Sequence, residues 1–136
     1  MKEITLLAVV ENIPSVTAFI DGELEKAGCS PKAQMQIDIA IDELFSNIAH
    51  YAYAPLKGPA TVRFDLDKET GVASVTFLDR GVPYNPLRHQ DPDVTLSAEN
   101  RAIGGLGIFM VRKSMDEICY EYRDGFNMLT IRKKMN

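Results

Sequence analysis

Residues 31–53 read PKAQMQIDIAIDELFSNIAHYAY. Ile37, Ile41, Leu44 and Ile48 recur there at three- and four-residue spacing, which is one apolar face of an amphipathic helix. Ser30 supplies a cap and Pro31 fits the first helical turn. No breaker follows until Pro55, Gly58 and Pro59, so the pattern predicts one long helix over about residues 31–50. Glu43, Asn47 and His50 are spaced by four and three along the same run, so a regular helix would align them on a second, polar stripe. The apolar stripe can pack on a sheet.

The flanks supply the sheet. Upstream, residues 2–10 alternate as a strand, and Asn12 precedes a helix with Pro14 in its first turn and Val16, Phe19, Ile20 and Leu24 on its apolar face. Gly28 stands where that helix stops. Downstream, ATVRFDL (60–66) and VASVTFL (72–78) alternate around a turn containing Gly71, which predicts a hairpin. An irregular stretch runs from Asp79 to about Ile103. IFMVRKSM (108–115) then has helical spacing, and ICYEY (118–122) and MLTIRKK (128–134) form a second hairpin around Asp124-Gly125. The order β-α-α-β-β-loop-α-β-β predicts an α+β two-layer sandwich over residues 1–136, with helices on one face of a mixed, mostly antiparallel sheet.

Composition narrows the function classes. The 136 residues carry a net charge of −4, a poor footprint for direct nucleic-acid binding, which needs a basic surface. No apolar run approaches the length of a membrane span. Two cysteines and two histidines cannot assemble a zinc-type cluster at ordinary spacing, so Cys29 and Cys119 read as two reduced thiols. The N-terminal stretch carries Glu3 and Glu11 and lacks a secretory pattern, and a cytoplasmic location is the default expectation.

Three local patterns carry chemistry. On the long helix, Asn47 offers a neutral oxygen suited to Mg²⁺, and Glu43, one turn earlier, can orient or deprotonate an attacking hydroxyl or water. A solvated polar helix face would read the same way, and His50 reads as structural. After the strand VTFL, Asp79 can accept the exocyclic amine of adenine while Gly81 permits close backbone approach; an Asx turn is the alternative. Gly104-Gly105-Leu106-Gly107 runs into a helix, where exposed N–H groups and the helix dipole favour phosphate; a plain glycine turn is the alternative.

Taken in order, IDELFSNIAHYAY (41–53), FLDRGVPYNP (77–86) and IGGLGIFMVRKSMDEICYEYRDGFNMLTIRKK (103–134) resemble the GHKL ATP-binding superfamily of gyrase, Hsp90-type chaperones, histidine kinases and MutL. Within it the chain is most similar to the small stand-alone anti-sigma-factor serine kinases. The resemblance implies the Bergerat-type ATP-binding fold and these roles: Glu43 as general base toward an acceptor serine, Asn47 as Mg²⁺ ligand, and Asp79 with Gly81 at adenine. It further implies Gly104, Gly105, Leu106 and Gly107 in the phosphate loop and Thr130 as a hydroxyl supporting the adenine site. His89 to about Arg101 would form the ATP lid, with Arg101 within reach of a phosphate. Pro83 stands where many relatives have a further glycine, and Tyr84-Asn85-Pro86 replaces Phe-Asp-Pro.

The implied activity is ATP- and Mg²⁺-dependent phosphorylation of a serine on a STAS-domain antagonist, with a sigma factor as a second partner and a homodimer as the assembly. The alternative is a non-catalytic ATP-binding module that sequesters a sigma factor or another regulator. A slow ATPase, or a detached kinase half within a larger assembly, is a third reading.

Overall fold

The computed structural model describes residues 1–88 and 105–136, and for Gly105 and Leu106 the backbone only. Strand β1 (Lys2–Leu7) leads through a 3-10 turn (Val10–Asn12) into α1 (Ile13–Lys26) and then α2 (Pro31–Asn47). A π-helical turn (Ile48–Ala52) extends α2. The hairpin β2 (Pro59–Asp67) and β3 (Val72–Asp79) follows, then a 3-10 turn (Pro86–Arg88), α3 (Gly105–Ser114), and the hairpin β4 (Glu117–Arg123) and β5 (Phe126–Lys134).

The strands lie in the order β1-β2-β3-β5-β4, and each neighbouring pair is antiparallel. The expected mixture is therefore corrected: among the described residues the sheet holds no parallel pair. The reason is topological. The chain leaves β3, passes through α3, and lays β4 outermost, so β5 returns beside β3 in the opposite sense.

Period-two alternation fills the core from the sheet side with Val62 and Phe64 on β2, Val75 and Phe77 on β3, and Leu129 and Ile131 on β5. Against them pack Val16, Ile20 and Leu24 of α1, Ile37, Ile41, Leu44 and Phe45 of α2, and Ile108 and Val111 of α3. Burying each such side chain contributes roughly 1.5–3 kcal/mol. The opposite sheet face is polar, with Thr5 paired to Thr61, Thr76 to Thr130, Arg63 to Glu3 and Arg132 to Glu117.

Local signals behave as their chemistry dictates, with two exceptions. Ser30 Oγ accepts from the Ala33 amide at 3.2 Å, capping α2. Asp124 and Gly125 have φ of 54° and 82°, the consecutive left-handed pair of a tight two-residue hairpin turn. Asn12, however, does not cap α1. Its Nδ2 donates to the Leu7 carbonyl at 2.8 Å, tying the strand end to the helix start. The second exception is α2, whose α-helical hydrogen bonding gives way to π geometry after Asn47. The wider turn takes His50 off the Glu43–Asn47 stripe; it is exposed, and its Nδ1 lies 3.3 Å from Ser46 Oγ.

Candidate nucleotide site

A cleft opens between the C-terminal half of α2 and the ends of β3 and β5. Leu44, Ile48, Phe77, Val82 and Leu129 give it apolar walls, and Asn47, Asp79 and Asn127 place polar groups on them. A mostly apolar cleft with a few convergent polar atoms suits a flat heteroaromatic ligand.

Strand parity brings Asp79 in. Ala73, Val75, Phe77 and Asp79 share the inward face of β3, and Asp79 is only 6% exposed. Its Oδ1 accepts from the Gly81 amide at 2.8 Å and from Asn127 Nδ2 at 2.9 Å. The Asx turn expected as an alternative is thus present, and it uses one oxygen. Among the described residues none hydrogen bonds to Oδ2. Burial pushes the Asp79 carboxyl up, and the bonds from Asn127 and Gly81 oppose that shift.

Gly81 is a close-approach position. A Cβ there would run into the carbonyl of Ala52, and the next amide, Val82 N, donates to that same carbonyl at 3.0 Å. The turn after β3 is therefore clamped to the π-helical end of α2.

Toward the other end, Glu43 precedes Asn47 by one turn of α2 and lies outside the cleft lining. Asn47 lines the cleft, and its carboxamide oxygen is a neutral hard group of the kind that suits an ion or a phosphate-bound water. Burial pushes Glu43 up most, the Asp42 charge adds to the shift, and the nearby Asn47 carboxamide opposes it. Gly107 seats α3 on this carboxylate: a Cβ at that position would fall on the Glu43 carboxyl group itself. Gly105 and Gly107 lie within the first turn of α3 rather than ahead of it, and Gly107 is the one that serves helix-to-carboxylate contact.

Leu106 belongs to that same turn. Arg101 and Gly104 lie outside the described residues, as does the proposed lid from His89 to Arg101.

Thr130 needs correction. It lies on the outer face of β5, opposite in parity to Asn127, Leu129 and Ile131, and its hydroxyl pairs with Thr76 Oγ1 at 3.0 Å. The inward residue bonded to Asp79 is Asn127, its cross-strand partner. The sequence reading also missed Tyr51, Tyr84 and Tyr120, which line the cleft as well. The signal for Asn127 was available in the Asp124-Gly125 turn, which sets the register of β5, but only once β5 is known to pair with β3.

Among the described residues no three His, Cys, Asp or Glu side chains form a metal-binding group, and no helix is long and apolar enough to cross a membrane. Cys29 and Cys119 are free thiols.

Residues 6–133 match the family model described as the histidine kinase-like ATPase domain. The chain is similar to the serine/threonine-protein kinase BtrW of Bordetella bronchiseptica, at 28% identity over 102 residues, covering 75% of this chain and 71% of that protein. It is also similar to the serine-protein kinase RsbW of Listeria monocytogenes, at 28% over 115 residues, covering 81% and 72%. The RsbW of Bacillus mycoides is 24% identical over 131 residues, covering 93% and 81%.

Proposed function

Because the chain belongs to the histidine kinase-like ATPase domain family, we propose that it is an ATP-dependent protein-serine kinase that phosphorylates a STAS-domain antagonist in a partner-switching pathway. The observation that carries this reading is the Glu43 carboxylate, half-buried and seated against the first turn of α3 at Gly107. A carboxylate kept that close to a helix N-terminus, with its basicity raised by burial, suits proton abstraction next to a phosphate.

In the proposed step Glu43 accepts the proton of the substrate serine. The seryl oxygen bonds to the γ-phosphorus, the bond from that phosphorus to the β–γ bridging oxygen breaks, and ADP leaves with the electron pair. Asp79 Oδ2 accepts the exocyclic amine of adenine, and the walls of the cleft exclude water from the base. Asn47 Oδ1 would hold Mg²⁺, a fit supported by its being a neutral hard oxygen on the wall of the cleft. The ion, when bound, neutralises phosphate charge. The phosphate adds about −2 charge to an interface made for a neutral hydroxyl, and so releases the antagonist. The released state of the kinase then holds a sigma factor. We place this activity in the cytoplasm, in a homodimer that uses the exposed apolar residues Leu7 and Val10 between β1 and α1.

The test is phosphotransfer from γ-labelled ATP to a partner captured from the source cell, with phosphosite mapping and calorimetry alongside. Glu43→Ala should lose at least a hundredfold in transfer while binding ATP, and Asn47→Ala should weaken Mg²⁺-dependent binding or turnover. Wild-type protein that binds ATP yet labels no partner would replace this reading with the binding-only module.

A further inference from the structure

Asn127 is 7% exposed in the floor of the cleft, and a buried carboxamide must find partners for two donors and two acceptor positions. It finds all four. Nδ2 donates to Asp79 Oδ1 at 2.9 Å and to the Val82 carbonyl at 3.0 Å. Oδ1 accepts from the Tyr84 amide at 3.1 Å and from the Tyr120 hydroxyl. Turning the carboxamide over would face its NH₂ toward the Tyr84 amide, which only donates, and its oxygen toward the Asp79 and Val82 oxygens, which only accept, so the bonding fixes the orientation.

This saturation has two consequences. Asn127 has no bonding capacity left for a ligand, so it acts on one only through Asp79 and the turn. Asp79 Oδ1 is also fully used, by Asn127 and by the Gly81 amide, so Oδ2 is the oxygen left for a ligand. A hydroxyl in this position has a single donor and cannot bridge Asp79 and Val82 together. Tyr120 extends the network to the edge strand β4, so one chain of hydrogen bonds joins the edge of the sheet, the turn and the carboxylate.

We propose that Asn127 is the positioning residue of nucleobase recognition, holding Asp79 and the 81–84 turn so that Oδ2 meets the exocyclic amine of a purine, with Tyr120 as its support. The inference rests on the nucleotide reading above.

The experiment compares binding of ATP with that of inosine triphosphate, whose base lacks the amine, by calorimetry at pH 8. Wild type should prefer ATP. Asn127→Ala should lose about tenfold in ATP affinity, the worth of one hydrogen bond to a charged group, with little change toward inosine triphosphate, so the preference collapses. Asn127→Asp, equal in shape but without donors, should lose more than Asn127→Ala. In turnover the change should fall on KM for ATP rather than on kcat. A residue that merely supports the fold would lower thermal stability and weaken both nucleotides equally. Should Asn127→Ala not fold, Tyr120→Phe, which removes one support from outside the cleft floor, should shift the preference in the same direction by about threefold. A folded variant that keeps the wild-type ratio overturns the inference and leaves the nucleotide reading standing. A wild type that binds neither nucleotide overturns both.

Discussion

At its nucleobase end the cleft holds Asp79 with two donors on one oxygen, one from backbone and one from a side chain that is itself fully bonded. At its helix end Glu43 has the Asn47 carboxamide as its favourable partner, the Asp42 charge opposing it, and a glycine surface against it. Burial pushes both carboxyls up. The difference lies in what answers that push. Asp79 has one oxygen held by two donors and the other open among the described residues, as a group needs if it is to present one acceptor in a set place. Glu43 has its basicity raised by burial, as a group needs if it is to take a proton. On the proposed reading, recognition and reaction are thus separated along one helix and two strand ends.

The sharpest way to break this comparison is at Gly107. Gly107→Ala puts a methyl group into the Glu43 carboxylate, and overpacking of this kind costs about 1–3 kcal/mol. Phosphotransfer should fall at least tenfold, while binding of adenosine, which lacks phosphates, should hold. Stopped assays of transfer beside adenosine titration check this. Asp79→Asn probes the other end. It keeps the shape but replaces an acceptor-only group, and should cost about tenfold or more in ATP affinity by calorimetry.

A gentler probe is pH. Glu43 acts as a base only when ionised, and its carboxyl is raised above the ordinary 4.5. The transfer rate should therefore fall as pH drops, with its midpoint above 4.5, and a pH–rate profile of the wild type would show that limb.

The smallest effect is expected away from the cleft. Asp21 of α1 and Asp38 of α2 each bury an oxygen, Oδ1, that has no partner among the described residues. Two acceptors bond only if one carries a proton. Desolvation first, then the neighbouring Asp21 and the charge of Glu25, push Asp38 up to about 7. Because its folded value lies above the unfolded one, the stability it contributes is complete below about 3.8 and is lost as pH rises through about 7. Thermal unfolding of wild type should show Tm falling from pH 6 to pH 8, and Asp38→Asn should flatten that slope.

Much of this molecule was legible in its sequence because its signals are local. The apolar spacing on α2, the Ser30-Pro31 start and the Asp124-Gly125 turn each act within a few residues, and the element order followed from them. What escaped depends on distant pairing. Thr130 and Asn127 are three apart on one strand, and only the register of β5 against β3 decides which faces the cleft. The all-antiparallel sheet likewise depends on where β5 returns. His50 left its expected stripe because α2 widens into a π turn, and no residue there announces that change. Asn12 chose a carbonyl on the preceding strand over its helix, a competition between two short-range partners that sequence spacing does not rank.

The most direct measurement is a crystal structure of the chain with Mg²⁺ and a non-hydrolysable ATP analogue. The account predicts the exocyclic amine of adenine on Asp79 Oδ2, the ion on Asn47, and the γ-phosphate beside Glu43 and the first turn of α3. A base turned away from Asp79, or phosphates bound elsewhere than between Asn47 and Gly107, would contradict it.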